Sequence, residues 1–402
     1  MEYFDLLPED ITLDIISRVP TESVLECKLV SKTWRRLIGR PSFSKKHVYY
    51  LNHPAANSGN SGFIVFTLFG TNFRYFEYNE NQESTPIERI RRMKFSSPFH
   101  GRAICLGSCN GLICVYEISC FDGKSYICNP ITREYIMIPE IKRVRINHEA
   151  SGFGYVSSTN QYKLVTIISE PGCIQVYIYT LGRGNERRNL GKFKVETGAC
   201  WQDGTFVNAA LYWWDYQIQS IFTFNLASEN FCEQLSPPPL SDSDFGAYCK
   251  LGVLDGCLSF ANDKHVNGAD CLDVWLLRKK NENQGMEEQA GHQSLDWIEA
   301  FMVYGPNMFA AMNDMFAVTK NNTVLTYSRF HRHINIHDLE ASSSKTIVDL
   351  EEGFTQIFSH KNTLVSLKEL GGEDTNTIES VEIEISLSTS CLMESVKIEE
   401  TE

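Results

Sequence analysis

Apolar positions along the first 48 residues recur with a helical period. Pro8, followed by Glu9 and Asp10, suits a helix start, because proline fits the first helical position and acids fit the positive end of the helix dipole. Ile11, Ile15 and Val19 then fall at i, i+4 and i+8, Leu13 and Ile16 widen the stripe, and Pro20 closes the helix. Ser23-Val24-Leu25-Glu26 fits a capping box for a second helix through Leu29 and Val30. Ser31 is placed to cap a third helix that carries Trp34, Leu37 and Ile38 and ends near Gly39. Three such short helices cannot enclose this many large apolar groups among themselves. The surplus surface has two candidate covers, the rest of the chain or a separate protein, and the pattern does not choose between them.

From residue 50 onward the helical period gives way to short β-branched and aromatic runs separated by turn residues. Gly62 to Phe66, Tyr126 to Cys128, Tyr162 to Ile168, Gln175 to Tyr179, Ile221 to Phe224 and Val274 to Leu277 read as strands. A loose repeat opens near residues 62, 107, 152, 204, 252, 317 and 362, a spacing that suits four-stranded propeller blades. Seven openings allow six or seven blades, and a two-sheet sandwich fits the same pattern. The expected class is thus multidomain, three helices followed by an all-β domain, most simply a six- or seven-bladed propeller-like fold. The expected division is 1–48 helical, 49–61 linker, 62–370 β domain and 371–402 acidic tail. Lys279 to Ser294 reads as an exposed loop. The tail carries nine acids against Lys397 alone, although Val381-Glu382-Ile383-Glu384-Ile385 alternates like a strand.

Composition narrows the function classes. Of 402 residues, 43% are apolar and 12% aromatic, enough for a sizeable core. A formal net charge of −13 without a basic stripe argues against nucleic-acid and anionic-membrane partners. The thirteen cysteines are odd in number and several sit in apolar runs, as buried free thiols do. Met1-Glu2-Tyr3-Phe4-Asp5 lacks the cationic start of a secretory leader, so a cytoplasmic or nuclear location with reduced thiols is expected.

Candidate chemistry is sparse. Cys105, Cys109, Cys114, Cys120 and Cys128 crowd together, but they sit in hydrophobic strand contexts, as buried thiols do and zinc ligands do not. His331, His333 and His337 share one face of a strand, read here as an exposed face with Ile334 and Ile336 turned inward. Gly107-Ser108-Cys109-Asn110-Gly111 misplaces its serine for a nucleophile elbow, and Ser108 and Asn110 read as turn residues. Trp201, Trp213 and Trp214 suit either sugar stacking or a core. No catalytic residue, cofactor or metal is expected.

Leu7-Pro8-Glu9-Asp10, Arg18-Val19-Pro20, Ser23-Val24-Leu25, Val30-Ser31-Lys32-Thr33-Trp34, Leu37-Ile38 and Phe43 together resemble an F-box. Gly107 to Leu112, Asn129-Pro130-Ile131-Thr132-Arg133-Glu134-Tyr135, Gly152-Phe153-Gly154-Tyr155, Gly252 to Leu258 and Asp273-Val274-Trp275 resemble the F-box-associated interaction domain of plant F-box proteins, including the S-locus type. Val19 stands where leucine is commoner, and Asn208-Ala209-Ala210-Leu211 stands where the family shows Asn-Gly. The resemblance implies a non-catalytic substrate receptor of an SCF-type (Skp-cullin-F-box) ubiquitin ligase. Its helices would dock on a Skp-family adaptor, which reaches cullin and RING subunits, and its β domain would hold an unknown target protein. The adaptor-facing residues implied are Leu7, Pro8, Ile11, Ile15, Val19, Pro20, Leu25, Val30 and Trp34. Two rivals stand beside this: an adaptor-bound interaction protein without ubiquitin transfer, and a glycan-recognising F-box lectin.

Overall fold

The computed structural model describes residues 7–52, 60–67, 72–79, 87–95, 102–118, 123–141, 149–195, 201, 203–239, 249–266, 269–279, 295–304, 313–318, 323–328, 333–339, 343–349, 353–378 and 381–386. Four helices, not three, lead the chain: α1 (Glu9–Ile16), α2 (Thr21–Val30), α3 (Lys32–Ile38) and α4 (Pro41–Leu51). Pro8 and Pro20, both with ψ near the extended range, stand just outside α1 and α2 and cap neither through a side chain. Pro20 therefore opens the second helix instead of closing the first, which has already ended at Ile16. The Ser23 to Glu26 capping box goes unused because α2 begins at Thr21. Ser31 does cap α3, its side chain accepting from the Trp34 N–H at 3.1 Å. The fourth helix starts on Pro41 in the first turn after an extended Arg40. Its inner face is Phe43 and His47, one turn apart, stacked at 5.5 Å and both buried. A buried histidine amid serines and lysines leaves no apolar period to read, which is why this helix was absent from the pattern.

Six antiparallel sheets follow among the described residues. The first orders its strands Phe354–Ser359, Asn60–Thr67, Asn72–Asn79, Ile87–Phe95, Val381–Ser386. The second runs Asn376–Thr377, Glu134–Ile138, Lys124–Asn129, Leu112–Ile118, Arg102–Cys109. The other four, within 149–194, 205–231, 249–304 and 313–349, each pair four strands in chain order. Separate four-stranded meanders are propeller blades, not the halves of a sandwich. Six of the seven expected openings lie in or beside a blade's first strand. The seventh, at 362, opens nothing, because 360–375 contains no strand.

Two-residue hairpins join first to second strands in three blades. Asn110-Gly111 and Asp255-Gly256 have positive φ at both residues, as the right-handed twist of the strands favours. Asn208-Ala209 adopts the same turn with φ +49° and +60°, leaving an alanine where glycine is unstrained. Ala209→Gly is expected to raise unfolding stability by about 1 kcal/mol, read as a higher urea midpoint at unchanged slope.

The chain divides into two compact units, 1–141 with 180–186 and 358–388, and 142–179 with 187–357 and 389–402. In the first, Ile64, Phe66, Phe73, Cys105, Ile113, Val115, Tyr126 and Cys128 form one core shared by the first two blades. In the second, Trp201, Trp213, Leu211 and Phe224 pack with Val165, Ile167 and Val176, while Trp214 packs on Phe260. All three tryptophans are buried, and the Trp201 indole N–H donates to Asp215 Oδ2 at 2.7 Å. They are core residues and present no face for a sugar. Burial also pushes the Cys109 thiol up to about 12, so it stays protonated.

Among the described residues no group of three His, Cys, Asp or Glu is gathered as for a metal. His331 lies outside them. His337 is buried with its Nε2 2.8 Å from Thr326 Oγ1, and Ile336 is only half-buried, contrary to the expected exposed histidine face. Val324, Leu325, Thr326 and Tyr327 follow one another on the neighbouring strand and are all buried, so both faces of this blade are covered there and His337 is enclosed with them. The loop expected over 279–294 lies outside the described residues beyond Lys279. Val381–Ser386 joins the first blade with Glu382 opposite Lys94 and Glu384 opposite Arg92, while 387–402 lie outside the described residues.

Candidate functional site

The helices have two apolar faces. Ile16, Val24, Ile38 and Phe43 are buried in one cluster with Leu364, from the strandless stretch 360–375, and Leu13, Val19, Leu25, Cys27, Trp34 and Ile131 pack around it. This face is covered by the chain itself. The opposite face is not. Ile11 and Ile15, one turn apart on α1, are 45% and 42% exposed, Leu7 just before the helix is 36% exposed, and Val30 at the end of α2 is 47% exposed.

The nine residues implied by the resemblance therefore separate. Leu7, Pro8, Ile11, Ile15, Pro20 and Val30 are exposed, whereas Val19, Leu25 and Trp34 are half-buried on the inner cluster. Val19 leaves the stripe because α1 ends before it, so helical spacing no longer applies. Leu29 (77% exposed) and Tyr49 (67% exposed) were not among the nine. Leu29 was legible as the neighbour of Val30, but Tyr49 sits on the helix that the pattern did not show.

Charged groups hold α1 in place on its other sides. Glu9 bonds Arg40 at 2.6 Å and also pairs with Arg36, which lowers its carboxyl below the usual range. Asp14 receives Lys46 at 2.7 Å, the Tyr50 hydroxyl at 2.8 Å and Arg18 at 2.9 Å, and these donors bring its carboxyl down to about 2. Arg18 lies 4.4 Å above the Tyr50 ring. The apolar stripe is thus presented on a helix anchored to α3 and α4.

Two histidines sit beneath this assembly. His47 is buried with Nε2 2.9 Å from the Val19 carbonyl, and burial lowers its pKa. His360 is buried with Nδ1 2.9 Å from Ser108 Oγ, and burial pushes it down to about 4. Ser108 is consequently a strand residue that supports His360, not a turn residue. Below pH 6.5 the unfolded chain takes up protons that the folded chain refuses. Stability is complete above that pH and falls as pH drops toward 4, with His360 alone contributing about 3 kcal/mol. Urea midpoints should fall between pH 7 and pH 4.5, and His360→Gln should flatten that slope.

Residues 4–46 match the model of the F-box domain, and residues 64–305 match that of the F-box associated beta propeller domain. Several Arabidopsis thaliana proteins are similar. F-box protein At1g47340 is 25% identical over 68% of this chain and 61% of its own length. F-box protein DOR is 28% identical over 46% of this chain and 48% of its own. F-box protein CPR1 is 23% identical over 85% of this chain and 87% of its own. The first two matches thus span less than two thirds of those relatives. The chain belongs to the F-box proteins that carry an F-box associated beta propeller domain.

Proposed function

We propose that this protein is the substrate-recognition subunit of an SCF-type ubiquitin ligase, working in the cytoplasm or nucleus. The observation that carries the reading is the uncovered stripe Leu7, Ile11 and Ile15 on a matched F-box whose other apolar face is already buried. A Skp-family adaptor covers that stripe, with Val30 and the exposed prolines Pro8 and Pro20 at its margins, and bridges to cullin and RING subunits. The half-buried Val19, Leu25 and Trp34 support the docked surface from beneath. The propeller holds a target protein, and transfer is accelerated by raising the effective concentration of target lysines near the conjugating enzyme. No acid–base group of this chain takes part.

Affinity purification of the chain should recover adaptor and cullin together, and expression of the intact chain should lower the level of its target. Adaptor recovery with cullin absent and target level unchanged would instead select an adaptor-bound protein without ubiquitin transfer. Burial of Trp201, Trp213 and Trp214 removes the stacking platform on which the lectin alternative rested.

A further inference from the structure

The stretch 360–372 contacts both the helices and the first two blades, all within one compact unit. Toward the helices, the Thr21 hydroxyl donates to the Asn362 carbonyl at 2.6 Å, and the Asn362 amide donates to Glu22 Oε1 at 2.6 Å. Lys361 Nζ donates to the Leu51 carbonyl at 2.5 Å, and Ser44 Oγ donates to Glu369 Oε2 at 3.1 Å. Leu364 enters the helix core beside Phe43 and Val24. Toward the blades, the buried Asn129 amide donates to the carbonyls of Thr363 (3.1 Å) and Val365 (2.7 Å). Thr363 Oγ1 donates to the Asn110 carbonyl at 2.9 Å, and the His360 N–H donates to the Gly62 carbonyl at 2.9 Å.

These contacts grip α2 and α4 and leave the outward stripe of α1 untouched. The covalent route from the helices to the first blade is residues 53–59 alone. A connection of that length reaches roughly 3.3–3.6 Å per residue and does not by itself set an orientation. Buried hydrogen bonds and a shared apolar cluster do.

We infer that residues 360–372 are a strap that completes the F-box core and fixes the stripe Leu7, Ile11 and Ile15 relative to the first two blades. Residues Lys361, Asn362 and Leu364 are thus positioning residues for ubiquitin transfer. The positioning role rests on the ligase reading, while the strap itself does not. Proximity catalysis depends on orientation, so loosening the strap should blur where ubiquitin lands while leaving the adaptor contact in place.

The test replaces residues 53–59 in the full chain with a protease recognition sequence. After cleavage only non-covalent contacts join helices to blades. The cleaved protein should elute as one particle in gel filtration. The same protein carrying Lys361→Ala, Asn362→Ala and Leu364→Ala should separate, its dissociation constant raised at least about tenfold. Should the triple variant not fold, Asn362→Ala alone, which removes the Glu22 bond, should give partial separation. A cleaved protein that falls apart with the strap intact, or variants that stay joined as tightly as the original, overturns the strap. In the uncut chain, assembled with adaptor, cullin, RING subunit and conjugating enzyme, self-ubiquitination should map to a restricted set of lysines with the strap intact. It should spread to more lysines in the triple variant, and an unchanged map overturns the positioning role. Failure of the uncut original to bind adaptor would remove the ligase reading, and the cleavage result would still decide the strap.

Discussion

Ile11→Asp combined with Ile15→Asp abolishes capture of the Skp-family adaptor while the melting temperature of the chain stays where it was. Both side chains are more than two fifths exposed on α1, so the folded chain loses little by the exchange. Exposed positions of this kind change stability by no more than about 0.5 kcal/mol. Docking is another matter. Covering a large aliphatic side chain contributes roughly 1.5–3 kcal/mol, so two of them supply about 3–6 kcal/mol, before the added cost of burying two unpaired carboxylates. The dissociation constant should rise by at least about a hundredfold, and by up to about ten-thousandfold. Leu7→Ala with Pro8→Ala acts on the same face and should also collapse adaptor pull-down with the β domain still folded. Adaptor binding by the double aspartate variant within a factor of two of the original would show that the contact lies elsewhere.

Phe43→Ala has the opposite profile. Phe43 is buried among Val24, Ile38 and Leu364 and stacks on His47 at 5.5 Å, so truncation leaves a cavity in the core that the helices share. Truncations of this kind cost about 3–5 kcal/mol. Circular dichroism should show the helical signal lost at a lower urea concentration than the strand signal, and limited proteolysis should cut first within 9–51. Adaptor binding falls as well, but through unfolding, so lowering the temperature should restore part of it. No such rescue is expected for the two aspartates on α1. A Phe43→Ala protein as stable as the original would mean that α4 is dispensable to the bundle.

The contrast between these two variants marks what could be read from the chain alone. Local chemistry is legible wherever it acts over a few residues. Ser31 caps α3 by a bond three residues long, and Asn110-Gly111 and Asp255-Gly256 make their hairpins from the φ values those residues tolerate. The alternation in Val381 to Ile385 signals a strand, and six of the seven recurring openings fall in or beside the first strand of a blade. Helical spacing likewise identifies Ile11 and Ile15 as sharing a side of one helix.

Spacing does not say which apolar side meets which surface. Val19, Leu25 and Trp34 face inward, and Leu7, Ile11 and Ile15 outward, because Leu364 and Ile131 arrive from distant parts of the chain to cover one side. The same long-range packing makes a helix of Pro41–Leu51, whose buried His47 has no local reason to be inside. It also turns the seventh expected blade opening into the 360–372 strap, and packing on both faces of its blade buries His337. Periodicity, caps and turns were therefore set by the sequence itself, since they depend on backbone sterics and neighbours within a helical turn or a hairpin. The choice of covered face was left to tertiary structure, since it depends on contacts between residues more than 300 positions apart, such as Thr21 and Asn362.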